Sequence, residues 1–560
     1  MTDIEKNYQS WLANATADID LVKELKVMNE DQKQDAFYRD LEFGTAGLRG
    51  VIGAGTNRMN VYVVGRASQG LADYVKAHFK EGERSIAISR DSRLKSDVFA
   101  KTAAQVFAAN GIKVYIYPYI SPVPTLSFAT RYLHCSAGIM ITASHNPSKY
   151  NGYKVYGPDG CQITSEAADE ILNNIGKTDI FSGVKLISYD EGFKKGLISY
   201  ITPEVITAFI GHVKEQSLLG DEKVDKNVAI VYTPLNGTGL APVTRALNEE
   251  GFTNITVVKE QEFPNGYFPT CPYPNPEIQE AMALGMEYAK KNNADILIAT
   301  DPDADRVGIA VKNKEGEYQL LSGNETGMLL FDYVCLRRLA LHKMPKDPVM
   351  VKTIVTIDMA ERIADHYGVK TINVLTGFKY IGDQIGLLEK QGKADSYIFG
   401  FEESYGCLTG TYVRDKDAVN GATMIAEMFA YYRSKGKSLL DRLNELYDCY
   451  GYTHNTLYSY EFDGESGFEK MKNIMNSFRQ GIKSLGGKEV KKVLDYNEGL
   501  DGLPKSNVIK FLLADNCSVV VRPSGTEPKI KTYISVSAKT RAEADEIETR
   551  INSELKEFFR

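Results

Sequence analysis

Ser85-Ile-Ala-Ile-Ser89 runs into Arg90-Asp-Ser-Arg93, then into an apolar-periodic stretch near Val98–Asn110, then into Lys113-Val-Tyr-Ile-Tyr117. A short apolar run bounded by polar residues reads as a buried strand, and the stretch after it as a helix. The same strand–loop–helix rhythm returns at Val228-Ala-Ile-Val-Tyr232, which precedes Thr233-Pro-Leu-Asn-Gly-Thr-Gly239 and a helix containing Val243–Leu247. Asp295-Ile-Leu-Ile-Ala299 leads into an acidic loop, and Val349–Lys352 and Thr371–Leu375 read as further buried strands. Alternation of this kind indicates an α/β architecture. The last segment reads differently. Strand-like Asn507–Leu513, Ser518-Val-Val-Val-Arg522 and Lys531-Thr-Tyr-Ile-Ser-Val536 are followed by one charged helix from Arg541 to Phe559. That pattern predicts a smaller C-terminal α+β domain.

The chain has 560 residues, and at roughly 150 residues per domain this length fits three or four domains. Pattern changes put boundaries near 205, 322 and 445. The expected units are therefore 1–205, 206–322, 323–445 and 446–560. Lys plus Arg total 66 and Asp plus Glu 73, for a net charge of −7. A mildly acidic chain lacks the basic footprint of a nucleic-acid binder, so any anionic ligand is caught by local cationic clusters. The seven cysteines form no CxxC pair, which fits a reducing compartment. Met1-Thr-Asp-Ile-Glu-Lys6 is too polar for a signal peptide. The longest uncharged runs, Val114–Thr130 and Tyr132–Ser148, are broken by prolines and polar groups, unlike a membrane span of about 20 mainly apolar residues. The expectation is a cytoplasmic protein without a membrane or nucleic-acid partner. Oligomeric state leaves no mark on the sequence.

Four loops carry chemistry. Thr142-Ala-Ser-His-Asn-Pro147 follows the apolar Gly138-Ile-Met-Ile141 and sits at an expected strand end, where open α/β sheets bind ligands. Ser144 and His145 place a hydroxyl nucleophile beside a titratable ring; the plainer alternative is a turn with Ser144 as a local cap. The Gly-x-Ser-x-Gly elbow of hydrolases is absent. Asp301-Pro-Asp-Ala-Asp-Arg306 crowds three carboxylates that repel one another, and a hard cation with oxygen ligands relieves that repulsion. An EF-hand is excluded, because Arg306 stands where that loop needs Gly and Lys312 where it needs Glu. An open three-carboxylate set suits Mg²⁺ completed by a phosphate oxygen. Arg522-Pro-Ser-Gly-Thr-Glu-Pro528 offers a guanidinium fork, the hydroxyls of Ser524 and Thr526, and close backbone approach at Gly525. Such a set cradles phosphate; alone it reads equally as a Pro/Gly hairpin loop. In Gly400-Phe-Glu-Glu-Ser-Tyr-Gly406, Glu402 and Ser404 have the spacing to point the same way from an extended segment, and together they suit vicinal sugar hydroxyls. Arg49 lies in the glycine-rich Phe43–Gly50. Lys154 follows the Ser144 loop and Lys416 follows the Glu402 loop, and either lysine is a candidate for moving a proton.

Taken together and in their order along the chain, the four loops resemble those of the α-D-phosphohexomutase family over nearly the whole chain. The phosphoserine loop at 142–147 is intact. The metal loop, commonly Asp-Gly-Asp-Gly-Asp-Arg, is here Asp301-Pro-Asp-Ala-Asp-Arg306. The sugar loop keeps Glu-x-Ser, with Phe401 moving the glycine one place upstream. The glycine-rich segment, the spelling of the metal loop and Thr376-Gly-Phe-Lys379 resemble the longer-chain branch acting on hexose and pentose phosphates. The resemblance implies three related α/β domains plus a smaller C-terminal α+β domain around a central cleft, the fourth swinging over it. It implies a phosphoryl group on Ser144 and one Mg²⁺ on that group, Asp301, Asp303 and Asp305. It implies a sugar monophosphate held by Arg522, Ser524, Gly525 and Thr526 through phosphate and by Glu402 and Ser404 through hydroxyls. Thr376, Gly377 and Lys379 then belong to substrate recognition, Arg49 to the phosphoserine end, and Arg306 with His145 to charge neutralisation. Glucose 1,6-bisphosphate is the implied intermediate and primer. Lys154 and Lys416 both stand for the proton transfer, Lys154 nearer Ser144 in sequence. Glucose comes first among the sugars, then ribose or deoxyribose, then mannose. A metal-dependent sugar phosphatase and a non-catalytic sugar-phosphate sensor are the alternatives.

Overall fold

A computed structural model describes residues 3–44, 47–163, 165–462, 464–524 and 529–559. Four separate sheets organise them. The first contains β1 (Phe43–Gly44), β2 (Gly47–Val51), β3 (Ser85–Arg90), β4 (Lys113–Ile116), β5 (Ala137–Ile141), β6 (Tyr150–Tyr156) and β7 (Ile198–Tyr200) in the order β1-β2-β6-β5-β3-β4-β7. Its centre is parallel, β3 pairing with β4 and β5, and β6 returns antiparallel beside β5. The second sheet contains β8 (Ile230–Thr233), β9 (Ile255–Val257), β10 (Ile296–Thr300), β11 (Val307–Lys312) and β12 (Tyr318–Leu321), ordered β12-β11-β10-β8-β9. The third contains β13 (Val349–Thr353), β14 (Lys370–Val374), β15 (Tyr397–Phe401) and β16 (Cys407–Leu408), ordered β14-β13-β15-β16. Each is a parallel core edged by antiparallel strands, as the α/β reading expects.

The fourth sheet is antiparallel throughout: β17 (Tyr452–Glu461), β18 (Ser484–Leu485), β19 (Lys488–Asp495), β20 (Ile509–Leu513), β21 (Ser518–Pro523) and β22 (Lys529–Ala538), ordered β17-β22-β21-β20-β19-β18. Helices Gly464–Phe478 and Arg541–Glu557 cover one face, where Met475, Phe478, Ile551 and Leu555 meet Phe511, Val519 and Ile534. On the other face Val520 and Tyr533 pack on Ile354, Val355 and Leu375 of the third unit, so the α+β unit is seated against its neighbour.

Burial explains the apolar strand runs. All five residues of β5, β10, β13 and β15 are buried, because helices cover both faces of such sheets. The helix Ser96–Ala109 lays Phe99, Ala103 and Phe107 on the first sheet. Strand ends shift by a residue or two from the sequence reading: Val228–Tyr232 becomes Ile230–Thr233, and Asn507–Leu513 becomes Ile509–Leu513. The α/β rhythm does not predict the amino-terminal cap. Helices α1 (Asp3–Asn14), α2 (Ile19–Val27) and α3 (Glu30–Phe37) form a separate cluster around Trp11, Leu25 and Phe37. No described helix is long and apolar enough to cross a membrane.

Candidate active site

The buried strand β5 delivers the Ser144 loop. Its turn is closed locally, the Ser144 N–H donating to Thr142 Oγ1 at 2.8 Å. Ser144 has φ 53°, in the left-handed region that residues with a β-carbon adopt uncommonly. The turn puts Ser144 Oγ 3.0 Å from Asp301 Oδ2 and 3.2 Å from His145 Nδ1. Burial, with Arg306 and Arg49 adding, holds the His145 ring well below its usual range. That environment disfavours the charged ring, and the contact it makes here is the hydrogen bond with Ser144 Oγ.

Strand β10 delivers the acidic loop. Asp301 Oδ1 accepts the N–H groups of Asp305 and Arg306 at 3.1 and 3.0 Å, and Ala304 takes φ 48°. This coil draws ligand oxygens of Asp301, Asp303 and Asp305 to within 4.8 Å of one another, all three residues buried. Burial and the charges of Asp303 and Asp305 push the Asp301 carboxyl well above the usual range. Burial opposes ionisation of Asp303 too, but Lys154 beside it holds that group below its usual range. Asp303 Oδ1 and Asp305 Oδ1 are buried without a hydrogen-bond partner. Buried polar atoms rarely stay orphaned, and converging, unsatisfied carboxylate oxygens are the donor set a hard divalent cation takes.

Two lysines from different units flank the triad. Lys154 Nζ, from β6, lies 2.9 Å from Asp303 Oδ2. Lys416 Nζ lies 2.9 Å from Asp305 Oδ2 and 3.3 Å from Asp415 Oδ1. Burial disfavours charge on Lys416, yet Asp305, Asp415 and Glu402 outweigh it and hold the amine above its usual range. Arg306 donates to Glu277 Oε1 at 2.9 Å. Burial opposes its charge as well, and Glu277 and Asp305 override it.

The sugar loop corrects one expectation. Strand β15 ends at Phe401, so Glu402 and Ser404 do not share an extended segment. They lie on a turn closed by the Glu402 N–H to Gly406 O at 2.9 Å, with Tyr405 at φ 69°. Glu402 Oε1 accepts the Gly377 N–H at 3.1 Å. Glu403 accepts instead from Thr356 Oγ1 at 3.1 Å. Burial pushes Glu402 up to about 7, Glu403 adding to the effect and Lys416 opposing it.

These loops share one cleft of about 480 Å³. Arg49, Ser144, His145, Lys154, Asp305, Arg306, Thr376, Gly377, Lys379, Glu402, Ser404, Lys416 and Arg522 line it. Asp301 and Asp303 sit behind its wall, fully buried. Arg49 Nη1 donates to Asn146 Oδ1 at 3.2 Å, tying β2 to the serine loop. Arg522, near the end of β21, packs its guanidinium 5.8 Å from the Tyr533 ring centre. Ser524 donates its N–H to Lys529 O at 2.7 Å, and Gly525 and Thr526 lie outside the described residues. Sequence reasoning missed Glu277, Gln162 and Tyr533, which also line the cleft. Glu277 and Gln162 sit on irregular segments with no local pattern. Asp91 and Arg93, behind the serine loop, carried one usable signal: charged residues at the carboxyl end of a parallel strand.

Three α/β units and an α+β unit surround a cleft lined by Ser144, Asp305, two lysines and the Arg522 guanidinium, with Asp301 and Asp303 behind its wall. This arrangement defines an enzyme of phosphoryl transfer between sugar phosphates. Family models described as phosphoglucomutase/phosphomannomutase alpha/beta/alpha domains I, II and III match residues 40–180, 207–316 and 322–450, and that of the C-terminal domain matches 480–553. The chain belongs to the phosphoglucomutase/phosphomannomutase family, the α-D-phosphohexomutases. It is 36% identical over 545 residues to a phosphoglucomutase of Staphylococcus saprophyticus, covering 94% of this chain and 96% of that one. It is 36% identical over 553 residues to the phosphoglucomutase of Staphylococcus aureus, covering 95% and 96%. Among solved structures, a putative phosphomannomutase from Thermus thermophilus aligns with TM-score 0.68 at 20% identity, over 93% of this chain and 99% of that one. The open form of Paramecium pp63/parafusin aligns with TM-score 0.69 at 18% identity, over 93% and 94%.

Proposed function

We propose that this chain interconverts glucose 1-phosphate and glucose 6-phosphate by relaying a phosphoryl group through Ser144, with glucose 1,6-bisphosphate as the intermediate. The observation that carries this reading is the placement of Ser144 Oγ, 3.0 Å from Asp301 Oδ2, on a cleft that Glu402 and Arg522 also line. The names of the relatives, at 36% identity over nearly the whole chain, favour glucose over mannose and pentoses.

The phosphate that is not transferred rests on Arg522 and Ser524, with Gly525 and Thr526 completing the loop. Glu402 and Ser404 bind the sugar hydroxyls, and Thr376, Gly377 and Lys379 close that side. The free hydroxyl attacks phosphorus, the bond from phosphorus to Ser144 Oγ breaks, and Lys154 or Lys416 relays the hydroxyl proton to the leaving Ser144 Oγ. After the bisphosphate turns over, Ser144 Oγ attacks the other phosphoryl group, the bond from that phosphorus to the sugar oxygen breaks, and the serine proton returns by the same lysine to the sugar oxygen. A serine relay splits one transfer into two. Arg306 neutralises charge on the phosphoryl oxygens, where most catalysis of phosphoryl transfer arises. His145 serves as a hydrogen-bond partner of Ser144 Oγ, and Arg49 steadies the loop through Asn146. Asp301, Asp303 and Asp305 would hold Mg²⁺ together with the phosphoserine, and the ion when bound supplies further charge neutralisation there.

The four units 1–205, 206–322, 323–445 and 446–560 are the frame of this reading, supported by the four separate sheets. A cytoplasmic location is part of it, supported by seven free cysteines, six of them buried. The test compares initial rates on glucose, mannose and ribose 1-phosphates, each read by an assay for its own isomerised product, at a trace of bisphosphate. Glucose is expected to be fastest, and Ser144→Ala to abolish turnover. Stoichiometric release of inorganic phosphate would favour the phosphatase instead.

A further inference from the structure

Arg93 does not line the cleft, yet its guanidinium holds the backbone of the Ser144 loop. The side chain is completely buried. Nη2 donates to Ser144 O at 2.6 Å and to Asn146 O, while Nη1 donates to Pro147 O at 2.9 Å and Tyr150 O at 3.1 Å. The guanidinium is itself fixed. Its Nε lies 3.3 Å from Asp91 Oδ2, and its Cζ lies 5.1 Å from the Phe268 ring centre. Phe268 comes from the second unit, on a segment whose Gly266 bridges to Arg93. A β-carbon on Gly266 would come within 2.6 Å of Leu94 N, so this junction is close-packed backbone to backbone.

Asp91 completes the device. Its Oδ2 accepts Thr142 Oγ1 at 2.6 Å, and Thr142 Oγ1 accepts the Ser144 N–H. Thr142 Oγ1 also lies 3.2 Å from Asp303 Oδ2. One ion pair thus pins Ser144 from both sides, the N–H through Asp91 and Thr142, the carbonyl through Arg93. A serine at φ 53° leaves that conformation unless its surroundings over-determine it.

Building on the reading of Ser144 as the phosphoryl carrier, we propose that Arg93 is a positioning residue. It holds Ser144 in the left-handed conformation and so aims Oγ at the acidic triad and the cleft. The contacts require a planar fork with donors on two nitrogens; the single ammonium of lysine cannot serve four carbonyls in this geometry.

The test uses the full chain carrying Arg93→Lys and, separately, Asp91→Asn, which keeps the fold's packing but removes the charge. Misplacing a reacting atom by about 1 Å costs on the order of 100-fold. Arg93→Lys is expected to lower kcat, and the rate of Ser144 phosphorylation by glucose 1,6-bisphosphate, by about that factor, with KM for glucose 1-phosphate within about threefold of wild type. Asp91→Asn is expected to lower kcat less, again at constant KM. Crystal structures of wild type and Arg93→Lys supply a readout independent of turnover. Ser144 is expected at positive φ in the first and outside that region, or with Oγ withdrawn from Asp301, in the second. Unchanged kcat in Arg93→Lys, or an unchanged Ser144 φ and Oγ position, overturns the inference. If wild type does not turn over glucose phosphates, the functional reading falls, and the Ser144 geometry alone then decides the role of Arg93.

Discussion

Lys416 Nζ lies 2.9 Å from Asp305 Oδ2, an ion pair that joins the third unit of the chain to the second. Lys154 makes the matching contact to Asp303 from the first unit. The acidic loop is therefore clasped by cations from both neighbours, and each lysine also lines the cleft.

Both lysines stand for the proposed proton transfer, and removing either leaves a buried carboxylate short of its partner. Lys154→Met and Lys416→Met are each expected to lower kcat by about 10²–10⁴-fold, the usual range for general acid–base groups. Steady-state assays with glucose 1-phosphate check this. A variant retaining the wild-type rate would remove that lysine from the proton transfer.

The triad gives a prediction on stability. A ligand that binds only the folded state stabilises it by about 2.7 kcal/mol at one hundred times its Kd. Mg²⁺ added to chelator-treated protein is therefore expected to raise the unfolding midpoint, and activity to vanish with chelator and return with Mg²⁺. Asp303→Asn should abolish most of the Mg²⁺-dependent shift. A shift that survives in Asp303→Asn would mean the ion binds elsewhere.

Much of this was legible in the sequence because strand ends and loops are local. The apolar runs before Thr142, Asp301 and Glu402 identified buried strands, and the loops after them line one cleft. Convergence was legible only through the family resemblance, not from local pattern: Ser144 and Asp301 are 157 positions apart, and the packing of two sheets brings them to 3.0 Å. Backbone handedness was not legible. Ser144, Ala304 and Tyr405 all take positive φ without the glycine that usually announces it, and this is why Glu402 and Ser404 were read on an extended segment. The Trp11 cap escaped because its three helices are short and follow none of the strand–helix rhythm.

Glu402 supplies a pH dependence. Burial raises its carboxyl to about 7, so the carboxylate proposed to accept sugar hydroxyls forms only as pH rises through that value. On this basis kcat/KM is expected to climb between about pH 6 and 8, with an apparent pKa near 7 in the free enzyme. The substrate phosphate titrates near 6 and adds a lower limb. Glu402→Gln should lose the limb near 7 and keep the lower one. A limb near 7 that persists in Glu402→Gln would assign it to another group.

Gly377 and Glu402 are expected to act as a unit. Gly377 has φ 119°, a conformation closed to residues with a β-carbon, and its N–H donates to Glu402 Oε1 at 3.1 Å. Gly377→Ala must rotate the backbone, and the N–H then leaves the carboxylate. Glu402 loses a hydrogen bond that favours its charged form, so the limb near 7 should move upward in this variant. Sugar contacts weaken with it, and KM for glucose 1-phosphate should rise about tenfold, the scale of one hydrogen bond to a charged group. Because both changes act through the same bond, the loss in Gly377→Ala/Glu402→Gln should be smaller than the sum of the single losses. Additive losses in the double-mutant cycle would show that Gly377 acts on the sugar loop by a route other than the Glu402 carboxylate.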